Sequence, residues 1–331
     1  MRAKFRFALL GAIMLPTCAG AAPAYTVTAS IAGPDGAWDY ASVDGTQLYI
    51  ARSDAVTVVD LPTGAVSSLG RVQRGHAVVP LPDGHLLVTS GNDGTARLFD
   101  PAAKTELASI AVGKKPDAAL LDGARTHALV VNAVSGTVSV IDLATAKVVR
   151  TIAVKPALEF GALAADGALF INNEDASEID PVDLARGTAD APIAMPGCKA
   201  PTGLGYDRTH DRLIAACDNG VAAVVNVKTR KLAALISIGE GPDAVIVDEA
   251  RGLAFIPCGE NGVLDVLSLS GGKVTHVATV KTEIGARTGA VDPRTGAIYL
   301  PTAAFGAKTA GAKRPAMVPG TFHILVVKPS S

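Results

Sequence analysis

One short phrase returns along almost the whole chain and constrains the fold more than any other feature. It is a turn opened by an acidic, amide or hydroxyl residue that ends a run of alternating apolar residues. The phrase stands at Asp60-Leu-Pro-Thr-Gly64, Asp100-Pro-Ala-Ala-Lys104, Asp142-Leu-Ala-Thr-Ala146, Asp183-Leu-Ala-Arg-Gly187, Asn226-Val-Lys-Thr-Arg230 and Ser268-Leu-Ser-Gly-Gly272, every 40 to 43 residues. A second turn keeps the same period at Asp44, Asp83, Asp122, Asp166, Asp207, Asp248 and Asp292, which makes seven units. Within one unit, residues 117–121, 128–132, 137–142 and 147–154 alternate as half-buried strands do, and turn residues separate them.

Four short strands cannot bury both faces of their own small sheet, so such units must stack on one another. At this period they predict an all-β chain, a seven-bladed β-propeller of four-stranded antiparallel blades, in preference to a linear solenoid or two stacked sandwiches. The ends indicate how the ring closes. Residues 322–327 align with third strands and no fourth strand follows, while residues 25–31 read as a fourth strand. The N-terminal strand is therefore expected to complete the last blade and remove the exposed edges. With aromatic residues at only 4%, the core must be built from Ala, Val, Leu and Ile. The propeller is expected to span residues 22–331 as one domain.

Residues 1–21 read as an export signal. Arg2, Lys4 and Arg6 precede an apolar stretch over residues 7–15, and Ala19-Gly20-Ala21 offers a small-residue cleavage site. The stretch is far shorter than the roughly 20 residues that span a bilayer. A periplasmic or secreted protein is expected, with lipoprotein processing at Cys18 as the weaker alternative. The net charge of -1 gives no reason to expect nucleic acid or an anionic membrane as partner.

The unit from Leu129-Val-Val-Asn132 through Ser135-Gly136 and Thr137-Val-Ser-Val-Ile-Asp142 to Lys147-Val-Val-Arg150 resembles the YVTN-type propeller repeat. Gly113-Lys-Lys-Pro116-Asp117 and Gly239-Glu-Gly-Pro242-Asp243 resemble that family's inter-blade linker. With the export signal, the chain is similar to YncE-like periplasmic propeller proteins over residues 25–331. The fourth and seventh units depart most from the pattern. The resemblance implies the fold, not a reaction, because such propellers include domains of redox enzymes, lactonases and proteins with no assigned reaction.

In a blade the first strand lines the channel and starts on the face where the second strand ends. First-strand starts bring Asp39, His76, Asp117, Glu159, Thr202, Asp243 and Arg287 to one mouth. Second-strand ends add Arg52, Asn92, Asn132, Asn172 with Asn173, Cys217 with Asp218, Cys258 and Thr302. This is a candidate polar ligand pocket, with room for a divalent metal: a hard cation on Asp117, Glu159, Asp243 and the Asn carbonyls. The other reading is that such residues cap strands and linkers.

Cys198, Cys217 and Cys258 fall in one sector of that face. In an oxidising compartment Cys198–Cys217 is the preferred disulfide, and a thiolate site for zinc or copper is the alternative. His85, His127 and His210 fall in turns on the far face, and His276 and His323 on outer strands. Residues 303–320 form a long insertion beside the mouth, with Lys308, Lys313 and Arg314 and no acid. Haem-attachment, nucleophile-elbow, Walker and dinucleotide motifs do not occur.

Two functions follow. The first is a monomeric exported binding or scaffold protein that uses the mouth for a small ligand or partner protein. The second is a lactonase-type hydrolase, with Glu159 or Asp117 as base and His76 and Arg287 steering negative charge. Binding of single-stranded nucleic acid through Trp38, Tyr40, Phe305 and the basic insertion ranks last.

Overall fold

The seven repeats fold into seven small antiparallel sheets arranged as a ring, a seven-bladed β-propeller. The computed structural model describes residues 24–307 and 315–330. The expected export signal over residues 1–21, with Cys18, and the insertion's Lys308, Lys313 and Arg314 lie outside the described residues. Blade 3 is representative: Pro116–Leu121, His127–Asn132, Thr137–Asp142 and Lys147–Ala153 pair in sequence order from the channel outwards. Burial follows from that order. The second strands Arg212–Cys217 and Leu253–Cys258 are buried at every position, because blades cover both their faces. The outer strand Lys147–Ala153 is mostly exposed. Each core cluster fills the space between neighbouring blades; one joins Leu48, Ile50 and Val59 to Tyr299, Ile324 and Val326.

Closure uses both ends of the chain. Tyr25–Ala32 pairs antiparallel with His323–Pro329, from Tyr25 opposite Pro329 to Ala32 opposite His323. The N-terminal strand is thus the outer strand of blade 7, whose inner strand is only Ala290–Val291. Blade 4 departs differently. Its outer strand is split into Thr188–Ala189 and Ile193–Ala194, both paired with Glu178–Asp183, and Pro192 interrupts the ladder because it has no N–H to donate. Among the described residues no helix is long and apolar enough to cross a membrane.

One irregularity repeats and positions the site. In blades 1 to 5 the inner strand shifts register by one residue just after its first pair, for example between Pro116 and Ala118. In blade 6 the isolated bridge Pro242–Cys258 precedes the regular ladder by the same offset. A bulge leaves one residue without a cross-strand partner and re-aims its side chain. Here the residues directly after the first pair are Asp39, His76, Asp117, Glu159, Thr202 and Asp243.

Candidate functional site

These bulge residues and Arg287 of blade 7 form a ring at the mouth, one from each blade. His76 is at its centre of charge. Its Nδ1 lies 2.6 Å from Asp39 Oδ2 and 2.9 Å from Asp117 Oδ1. Lys115 Nζ approaches Asp117 Oδ2 at 3.4 Å and Glu159 at 3.8 Å. Across blades 6 and 7, Arg287 Nε meets Asp243 Oδ2 at 3.1 Å. Thr202 Oγ1 donates to the Pro242 carbonyl, Thr288 Oγ1 to that of Asp39, and Asn172 Nδ2 to those of Thr202 and Gly203. Every boundary between blades therefore carries a polar link at the inner radius.

Protonation follows from burial and neighbours. Burial pushes the Glu159 carboxyl up, and the Asp117 charge adds to it, to about 10, so at neutral pH Glu159 is a neutral acid that hydrogen-bonds Asp117. Burial opposes the charge of His76, but its hydrogen bonds to Asp117 and Asp39 outweigh this and raise it to about 9. Burial likewise opposes ionisation of Asp117, yet His76 and Lys115 hold it below the ordinary carboxylate range.

The channel is closed under the ring. Tyr40 and Phe160, from blades on opposite sides, meet with ring centroids 4.6 Å apart. Burial and then the Asp243 and Glu159 carboxylates keep the Tyr40 phenol protonated far above its ordinary range. Beyond this floor lies a cavity of about 240 Å3, lined by Ala41, Val245, Ile246, Ala290 and Val291 as well as the two rings. The mouth is thus a charged cup with an aromatic floor, and the channel below it is apolar.

The second-strand ends do not join the cup. Asn132 is fully buried within blade 3, where its Oδ1 accepts from Gly113 N–H and its Nδ2 donates to Thr137 and Ser139. Asn172 is fully buried against blade 5. Arg52 caps the carbonyls of Pro34, Gly36 and Ala37. In blade 2 the residue at this position is Ser90, opposite Gly75, whereas Asn92 lies exposed in the following turn. The expected cation set is also rearranged: Asp117 meets His76 and Asp39, while Asp243 is paired with Arg287. Sequence reasoning passed over Lys115 and Phe160, and read Tyr40 only as a stacking aromatic, not as part of a floor. The floor had a signal, because Tyr40 and Phe160 follow the ring position where other blades carry Ala77, Ala118, Gly203, Ala244 and Thr288.

Cys198 and Cys217 form a disulfide, and Cys258 is a buried free thiol whose pKa is pushed up by burial and then by Asp265. His276 binds Asp265 from the outer strand of blade 6, and His323 lies at the start of the third strand of blade 7. The base of the insertion is a short antiparallel ribbon that bridges Phe305 and Met317, with Phe305 near Trp38.

The fold has close counterparts among solved structures. A chain of the Kuenenia stuttgartiensis hydrazine synthase superposes with a TM-score of 0.69 at 18% identity, over 79% of this chain and 91% of that one. A chain from a mitotic checkpoint complex crystal structure superposes with a TM-score of 0.75 at 13% identity, over 100% of both. At such identities the likeness shows the propeller fold and nothing of the chemistry. No protein-family model and no curated protein sequence matches the chain.

Proposed function

We propose that this chain is an exported, periplasmic propeller of the YncE-like kind, monomeric, whose channel mouth binds a small polar ligand carrying charge of both signs. The observation that carries this reading is the cup. Seven blades each direct one residue to a common mouth, and Tyr40 and Phe160 close it beneath. Carboxylates of Asp39 and Asp117 line one side, while the other holds the Arg287 guanidinium, which has donors beyond the one it gives Asp243. Export is supported by the pattern of residues 1–21 and by a disulfide, a bond that persists in oxidising compartments. The hydrolase reading is less favoured. Glu159 holds its proton at neutral pH and Asp117 is engaged by His76 and Lys115, so neither is an available base.

The test is a thermal-shift screen of amino acids, polyamines, dicarboxylates and lactones, against the wild type and Arg287→Gln. A ligand present at 100 times its Kd stabilises by about 2.7 kcal/mol. The expected result is a class that raises the wild-type Tm but not that of R287Q. Equal shifts in both proteins overturn the mouth as the binding site.

A further inference from the structure

The Asp39–His76–Asp117 cluster contains a feature that pocket shape alone does not explain. Two carboxylate oxygens converge on a single nitrogen, at 2.6 and 2.9 Å, and that nitrogen can present only one proton to them. His76 is 5% exposed, and its Nε2 is buried with no partner. The imidazole is therefore held by packing and not by hydrogen bonding at its far edge. Gly91 makes this packing possible, since a Cβ there would come within 2.8 Å of the ring. The ring's Nδ1 edge stays aimed at the carboxylates whether or not it bears a proton.

The surroundings hold the Asp117 carboxylate and the Asp39 backbone. Lys115 occupies Asp117 Oδ2, which leaves Oδ1 for the cluster. Thr288 holds the Asp39 backbone carbonyl across the blade 7–1 boundary. Partners of this kind outside a ligand set orient ligands and raise affinity. All three donor atoms lie within 4.8 Å of one another, and the Asp39 side chain is 19% exposed, which gives access from the mouth.

We infer that Asp39, His76 and Asp117 bind a divalent transition cation of the zinc type at the channel mouth. The inference rests on the mouth reading above and gives one of its ligands a chemical class. One imidazole nitrogen with two carboxylate oxygens suits zinc and its first-row neighbours. Calcium and magnesium favour all-oxygen sets, and copper(I) favours thiolates. Donors about 2.0–2.2 Å from zinc are separated by roughly 3.3–3.6 Å in a tetrahedron. The cluster needs only to open by up to about 1 Å, a movement within reach of the Asp39 side chain. Three protein donors leave a coordination position facing the mouth.

The test is calorimetric titration of the chelator-treated, disulfide-intact protein with Zn2+ alone, followed by Co2+ with its visible spectrum. One Zn2+ per chain is expected, with Co2+ bands of mixed nitrogen and oxygen ligation. Asp39→Asn and His76→Gln should each weaken binding by more than about tenfold, and the far-face variant His85→Ala should change it less than twofold. If H76Q does not fold by circular dichroism, D39N decides, because Asp39 lies at the mouth edge and its amide keeps the shape. Failure of the wild type to bind Zn2+, or binding unchanged in D39N, overturns the inference. Failure of the small-molecule screen leaves the zinc readout untouched, so the two readings fail separately.

Discussion

Reducing the Cys198–Cys217 bond should cost about 3 kcal/mol of stability without altering the fold. The cysteines are 19 residues apart, with Cys198 at 4% exposure just before the inner strand of blade 5 and Cys217 fully buried at the end of its second strand. Closing a loop of about that length removes unfolded-state entropy worth about 3 kcal/mol at room temperature. Reduction keeps both sulfurs in place, so no cavity term is added, unlike replacement by Ala. For a chain of this size that loss lowers Tm by roughly 4–5 °C. Cys258 does not interfere. It is fully buried, and burial raises its thiol pKa, whereas exchange requires an accessible thiolate. The assay is urea unfolding of the protein lacking residues 1–21, with and without reductant, with thiols counted under denaturing conditions. One thiol is expected in the oxidised protein. Coincident urea curves, or a count of three thiols in exported protein, would refute the reasoning.

Three further expectations follow from the geometry. Glu159 has its folded pKa raised from 4.5 to about 10, so its contribution is full below pH 4.5 and is lost as pH rises towards 10. Wild-type stability relative to Glu159→Gln should therefore fall between pH 6 and 9 by up to about 1.4 kcal/mol per pH unit, and parallel pH curves in urea would count against a neutral Glu159. Gly203→Ala should destabilise by about 2 kcal/mol or more, since a Cβ there would meet the Ala244 backbone at 2.5 Å; equal denaturation midpoints would show that the blade 5–6 contact can yield. Tyr40→Ala, which removes the cup's floor, should cost about 3–5 kcal/mol, measured by the same unfolding, and a loss under 1 kcal/mol would mean that Phe160 alone closes the channel.

The architecture was legible because its determinants are periodic. The Asp-opened turns mark every blade, and residues 25–31 read as a fourth strand with no unit of their own. The ring was legible for the same reason, since its members share one position in the repeat. The second-strand ends misled, because sharing a face is not sharing a mouth. Asn132, Asn173 and Cys217 sit opposite the start of the inner strand of their own blade and are covered by it and the linker. The partners of His76 follow from a one-residue bulge, and the floor follows from a contact between Tyr40 and Phe160, 120 residues apart. The bulge has no local sequence signal of its own; the floor shows only as two aromatic residues at a position otherwise small, and only the closed ring brings them into contact.

The mouth therefore combines two tasks that can be separated by position. Its links through Thr202, Asn172 and Thr288 run to backbone carbonyls, so they can join blades but present no charge to a ligand. The links among Asp39, His76 and Asp117 and between Asp243 and Arg287 join charged side chains across the same radius. A ring held only by the first kind would be as closed, and neither a half-buried ion pair nor a buried one, whose desolvation offsets its attraction, contributes much to stability by itself. Charged links at three of the seven boundaries are thus poorly explained by closure alone. Thr202→Val should accordingly lower stability and leave ligand or cation affinity unchanged, whereas Arg287→Gln should change affinity with little effect on the urea midpoint. If both variants alter stability equally and affinity not at all, the charged half of the ring is only a belt.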